Sequence, residues 1–349
     1  MNFWAVGVHG SRSDIFIWHR YYVPAYMMAA LLAGVGTQAL VAWLPRGLRV
    51  APLLIPVAML ATGWARFDRS RYAIGDAFSR AVLRTLPPGA SLIATDDNVL
   101  FVLIYLRHVE RERPDVHLVM QGVGDADLPP LRFDPDREPL LFTHHPNWNV
   151  PGLAIDPVGL LFQARRSGAP SLPLRLPPTT LPGEHDPRVP KDYLTQNLLG
   201  HFHFMRGVTL ERRDWPEARA AFERAMRAAP DNDVLFYNLG LVFRRNGLLR
   251  DAAAAFARSD AINPRHIASK EEVRARDRLE EVRREQARLA PIRAALARQL
   301  AADGALPNSP GYHARLADLL TARGETDAAY GETLRAIEAG ALDHPSPSS

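Results

Sequence analysis

The pattern of apolar and polar positions changes four times along the chain, and each change predicts a different kind of element. Residues 22–44 (YVPAYMMAALLAGVGTQALVAWL) carry no charge over about the length that spans a bilayer, and they read as a transmembrane helix. After the basic turn Pro45-Arg46-Gly47-Leu48-Arg49, residues 50–65 form a second uncharged run. It is shorter and holds Pro52 and Pro56, so it predicts a marginal second span. The competing reading of both runs is a buried helical hairpin. The first run does not read as a secretory leader: it starts about twenty residues in, is too long for a leader core and has no small-residue cleavage site. Arg46 and Arg49 on one side, and Arg66, Arg69 and Arg71 on the other, leave the orientation open.

From residue 72 the pattern becomes strand-like and helix-like pieces in alternation. Residues 73–86 have apolar positions at helical spacing, Pro87-Pro88-Gly89 breaks them, and the stretch SLIATDDNVLFVLIYLRHVERERPDVHLVM reads strand, polar turn, helix, strand. A further strand at 139–143 runs into the loop His144-His145-Pro146-Asn147-Trp148-Asn149, and residues 158–164 add another apolar run. Strands alternating with helices predict a small α/β unit with parallel pairing. A proline-rich stretch follows over residues 168–191 and reads as an extended linker.

The last part carries an internal repeat. Ala218, Phe222, Ala225 and Pro230 return 34 positions later as Ala252, Phe256, Ser259 and Pro264, with Phe236, Leu239, Gly240, Phe243 and Gly247 ahead of the second set. This is the tetratricopeptide spacing, in which small residues let two helices approach, Phe fills the gap to the next hairpin and Pro stops the second helix. The first copy has Arg206 where the repeat prefers Gly. A third copy runs over about residues 310–340 through Leu316, Leu320, Gly324 and Ala329, and the charged stretch 270–303 reads as a helical insert between them. The tail after Leu342 is expected to be unfolded.

Composition narrows the chemistry more than it identifies it. The 349 residues are 47% hydrophobic and 23% charged, and the net charge of +4 is spread along the chain without the aromatic interleaving of a nucleic-acid surface. No cysteine is present, which removes disulfides, thiol nucleophiles and cysteine-ligated zinc. No phosphate-binding glycine loop, nucleophile elbow or metalloprotease motif occurs. Asp96, Asp97 and Asn98 stand where an α/β unit places ligand contacts, although the same residues serve as a helix N-cap. His144, His145 and Trp148 form a candidate sugar platform, alongside the plain reading of a polar loop. His201 and His203 lie two apart on a predicted helix, point to different faces and do not make a metal pair, so no metal site is expected.

The stretches RSDIFIWHRYYVPAYMMAALLAGVG, PPGASLIATDDNVLFVLIYLRHVERERPDVHLV and REPLLFTHHPNWNVPGLAIDPVGLLFQARR, in this order, resemble the last spans and post-membrane segment of multi-span proteins related to protein O-mannosyltransferases. The resemblance covers roughly residues 12–166, and some members carry tetratricopeptide repeats beyond it. It implies a GT-C type glycosyltransferase using a polyprenyl-phosphate-linked sugar, with the soluble part on the periplasmic side. The implied catalytic acid lies in an early loop that this chain does not contain. The family's Gly-Asp-Asn-Asp turn is here Thr95-Asp96-Asp97-Asn98.

The expected architecture is therefore a membrane helical hairpin (1–66), a small α/β extracytoplasmic unit (67–168), a linker (169–191), an all-α tetratricopeptide solenoid (192–342) and a disordered tail (343–349). Two functions stay open. One is the C-terminal portion of a GT-C-like glycosyltransferase, with no catalytic residue of its own and substrate contacts from Arg20, Asp96, Asp97, Asn98, His144, His145 and Trp148. The other is a non-catalytic, membrane-tethered repeat scaffold holding a protein or peptide partner in its groove. Neither needs a cofactor beyond the sugar donor, and neither involves nucleic acid.

Overall fold

The computed structural model describes residues 23–67, 70–95, 97–120, 139–146, 151–173, 175–189, 191–264 and 274–343. The chain divides into two compact units, Met1–Ile74 with Pro182–Tyr193, and Gly75–Leu181 with Leu194–Ser349.

The first unit contains α1 (Val23–Trp43) and α2 (Leu54–Phe67), separated by two short 3-10 turns. The expected membrane hairpin is corrected here. Among the described residues no helix is both long and apolar enough to cross a membrane. A hairpin needs two spans, and the 14 residues of α2 rise only about 21 Å against a hydrocarbon core of about 30 Å. The helices do not bury their apolar side chains between them either, since Met27, Leu31, Leu40, Leu54, Leu60 and Trp64 all stand exposed.

In the second unit, five strands form one sheet in the order β2-β1-β3-β5-β4: β1 (Ser91–Ala94), β2 (His117–Met120), β3 (Leu140–Phe142), β4 (Leu153–Val158) and β5 (Leu161–Arg166). β1 pairs parallel with both β2 and β3, while β3, β5 and β4 pair antiparallel. The expected all-parallel pairing thus holds for only half of the sheet. The difference lies in the apolar run 158–164, which is a hairpin turn and not one strand: Val158 pairs with Leu161 across Gly159-Leu160, and Gly159 sits at φ +63. Helices α3 (Ile74–Thr85) and α4 (Asp97–His108) bury Phe78, Val82, Leu103 and Leu106. Arg113 locks the turn after α3 by donating to the carbonyls of Leu83, Leu86 and Pro87 at 2.7–2.9 Å and to Asp115. The Asp115 carboxyl, held by Arg113 and by Gly89 N–H, is pushed well below the usual carboxylate range.

Two contacts hold the stretch after β5: Leu172 N–H donates to Gln163 Oε1 of the sheet at 2.9 Å, and Pro177 accepts from the buried Arg206 guanidinium.

The helical array follows as α5 (Tyr193–Leu210), α6 (Trp215–Ala228), α7 (Asp233–Arg245), α8 (Leu249–Ile262), α9 (Ala275–Ala302), α10 (Pro310–Thr321) and α11 (Thr326–Asp343). Ala218, Phe222, Ala225, Leu239, Phe243, Ala252 and Phe256 are all buried in its core, and the exposed Pro230 and Pro264 follow the ends of α6 and α8. Gly240 lies against the Phe256 ring, where an added Cβ would meet Cε1 at 2.5 Å. In the first hairpin Gly207 meets Phe222 the same way, at 2.4 Å. The glycine that position 206 lacked is thus one residue along: Gly207 precedes Phe222 by 15 positions, where Gly240 precedes Phe256 by 16.

The array does not run on as an open superhelix. α11 folds back onto α6, with Trp215 Nε1 donating to Glu338 Oε1 at 2.6 Å. Gly247, at φ +69, lets the α11 backbone in so closely that a Cβ there would sit 1.8 Å from the Asp327 carbonyl oxygen.

Candidate functional site

The parallel pairing of β1 and β3 places their carboxyl ends side by side, and the residues just beyond them join. Thr95 N–H donates to Thr143 Oγ1 at 3.3 Å. The hydroxyls of Thr95 and Thr143 lie 3.0 and 3.2 Å from His144 Nδ1. The two polar segments read separately in the sequence therefore meet at one sheet edge. Of the expected contacts there, Arg20, Asp96 and Trp148 lie outside the described residues, and Asp97 and Asn98 open the first turn of α4.

His144 then reaches the repeats. Its ring stacks on that of His201 from α5, with centroids 4.7 Å apart and planes 26° from parallel. His201 is pushed down from its ordinary 6.5 to about 3, first by burial and then by the neighbouring His144, against a hydrogen bond to the Thr143 backbone. At neutral pH it is an uncharged, fixed ring. His145 meets Phe162 of β5 edge-on at 5.3 Å, with its Nδ1 2.9 Å from the Pro146 carbonyl. His203 faces elsewhere, fully buried with its ring edge-on to Phe202.

Between this histidine edge and the helices lies a cavity of about 660 Å³. One wall is a single face of α5, with Leu194, Asn197, His201, Phe204 and Val208 at helical spacing; the facing wall is α7, with Val234, Asn238, Leu241 and Arg245. Arg245 is fixed by Glu211, which is almost fully buried: its Nε donates to Oε1 at 2.8 Å, its Nη2 pairs with Oε2, and Asn246 Nδ2 adds a third bond at 2.6 Å. No carboxylate lines the cavity among the described residues. No group of three or more metal-ligating side chains occurs there or elsewhere among them.

The cavity residues on the helices carried no motif. The repeat pattern marks the small and aromatic residues that pack hairpin to hairpin, which is the opposite face of the same helices. A signal was present in the spacing of Asn197, His201, Phe204 and Val208, and of Val234, Asn238, Leu241 and Arg245, where polar and apolar residues share one face of each helix.

The buried His201 predicts a pH dependence. The folded state holds the neutral ring, whereas the unfolded chain takes up a proton near 6.5, so stability falls as pH drops through the window from about 6.5 to about 3. At pH 5 this contributes about 2 kcal/mol. His201→Phe keeps a ring on His144 without the titration. The parent is expected to lose more stability than this variant between pH 7 and pH 5 in urea titrations, and equal losses would assign the acid sensitivity to other groups.

No family model matches the chain. A similarity search finds Protein NPGR2 from Arabidopsis thaliana, 27% identical over 85 residues, which is 24% of this chain. The chain spans only 12% of that protein's length. These comparisons do not test the glycosyltransferase resemblance.

Proposed function

We propose that this chain is a helical-repeat binding module that holds a short, extended peptide segment of a partner protein in the cleft between α5, α7 and the histidine edge. The observation that carries this reading is the cleft itself. Two helix faces oppose each other across about 660 Å³, each mixing apolar side chains with carboxamides. A carboxamide offers one acceptor and a pair of donors, which matches the peptide group it would face. Asn238 is central to α7 and its amide has no partner among the described residues. The wall from Asn232 to Arg245 rises about 20 Å, which an extended chain covers in about six residues. Binding is favoured over catalysis because His201 in the cleft is a stacked and hydrogen-bonded neutral ring at working pH.

A phage-displayed heptapeptide library panned on the immobilised full chain tests this. Enriched peptides are expected to bind in fluorescence polarisation, and Asn238→Ala is expected to weaken them by about 1–2 kcal/mol, roughly tenfold, with an unchanged melt. Enrichment equal to that on Asn238→Trp, whose indole obstructs the cleft, would overturn the reading.

A further inference from the structure

The carboxamides of the cleft have a polarity, and one backbone N–H sets it. α7 begins with Asn232 as N-cap, whose Oδ1 accepts from Leu235 N–H at 2.8 Å. That N–H belongs to the orphan donors of a helix start, and only an acceptor satisfies it, so Asn232 must turn Oδ1 to the helix and Nδ2 away from it. Nδ2 then faces the side chain of Asn197 on α5 at 3.0 Å. A donor there requires Asn197 to present Oδ1, which leaves Asn197 Nδ2 on the opposite side of its amide. Asn197 lines the cleft, and its Nδ2 has no partner among the described residues. Gly200 makes the approach of α5 close enough for this pairing: a Cβ there would lie 2.6 Å from Ala229 Cβ and 3.3 Å from Leu235 Cδ2.

We propose that Asn232 is a positioning residue that fixes the cleft's specificity: acting through Asn197, it presents an N–H donor to the ligand, so the bound segment carries a carbonyl or carboxylate oxygen at that point. This rests on the peptide-binding reading above and goes beyond it in assigning the chemistry of one contact. The absence of any carboxylate from the lining among the described residues agrees with an acceptor-bearing ligand.

The test uses heptapeptides selected on the parent protein. Asn232→Asp keeps a cap of equal rank, yet its carboxylate cannot donate, so Asn197 must reverse its amide, giving Nδ2 to the new carboxylate and Oδ1 to the cleft. The melting temperature should stay within about 2 °C of the parent, while affinity for the selected peptides falls at least tenfold. Asn197→Asp still accepts from Asn232 Nδ2 but replaces the free donor directly, and it should give the same loss; it carries the test if Asn232→Asp folds poorly. Panning on Asn232→Asp should select a different set of peptides. In the parent's peptides, replacing Asp and Glu by Ala distinguishes the source of the acceptor, since binding survives if it is a backbone carbonyl and is lost if it is a side-chain carboxylate. Parental affinity in both Asp variants, with Asn238→Ala still weakened, would overturn the polarity and leave the binding cleft standing. If no peptide is enriched over Asn238→Trp, the binding reading falls first.

Discussion

Gly240→Leu is expected to destabilise the helical array by more than about 3–5 kcal/mol, exceeding the loss from Phe256→Ala at the same contact. The two variants probe one crossing from its two sides. Phe256 is fully buried, so truncating it leaves a cavity of aromatic size, and the cost is the lost transfer energy plus the void. At Gly240 even a methyl group would stand 2.5 Å from the ring, and Tyr237 of the same helix already packs edge-on against that ring at 5.6 Å. The helices can accept a leucine side chain at this point only by separating, which gives up contacts along the whole of α7 and α8. Gly207→Leu against Phe222 should behave alike. Gly311→Ala is the control, because a Cβ there meets nothing within 4 Å and a helix position gains from Ala. Urea titrations followed by far-UV circular dichroism read all four. Parental midpoints for both Gly240→Leu and Gly207→Leu would mean that the hairpins do not cross at these glycines.

What the sequence shows and what it hides follow from how local each determinant is. The contact of Ala218, Phe222 and Ala225 with their neighbours depends on side-chain size at fixed spacing, so its echo at Ala252, Phe256 and Ser259 is legible. Gly207 escapes because it stands 15 residues before Phe222, one fewer than Gly240 before Phe256, which moves it off the 34-residue register while its contact with Phe222 stays the same. The β4–β5 hairpin hides inside an apolar run because its turn is two residues long and one of them is Leu160, which is itself buried. The apolar run 22–44 was misleading in the opposite direction. Freedom from charge is necessary for a span, but it does not by itself make one.

The site was half legible for a related reason. Thr95 and His144 could each be placed after a strand, and the carboxyl ends of strands are where α/β units present side chains. Their meeting depends on β1 and β3 being neighbours, and that pairing is fixed by packing between residues far apart in the chain. The helical wall left only a mixed polar and apolar spacing on one face of each helix, with no motif to mark it. Asn197 and Asn238 are ordinary residues for a helix surface, and they acquire meaning only when α5 and α7 face the same cavity. The return of α11 onto α6 has no sequence signature either, although it accounts for the otherwise unexplained burial of Trp215 and for Gly247.

That return also builds the second large effect, which lies away from the cleft. Glu332 of α11 is 1% exposed and is surrounded by nitrogen groups: His313 Nδ1 at 2.8 Å and two guanidinium cations, Arg335 Nη1 at 3.0 Å and Arg293 Nη2 at 3.1 Å. Burial pushes the Arg293 guanidinium down, Arg335 and Arg250 push it the same way, and Glu332 opposes them. The carboxylate is thus what keeps a buried cation tolerable. Glu332→Gln preserves shape and most hydrogen-bonding capacity while removing the charge, and it is expected to cost about 3–5 kcal/mol because the arginines remain buried without compensation. Adding Arg293→Met should recover much of that loss by withdrawing the buried cation together with its counter-charge. The effect should persist in about 0.5 M NaCl, since a buried pair is screened far less than an exposed one. Glu325→Gln, which breaks the exposed pair with Arg288, should leave the melt where it is. A Glu332→Gln protein with the parent's melting temperature, or one whose defect vanishes in salt, would show that this cluster sits in water and does not hold α10 and α11 onto the rest of the array.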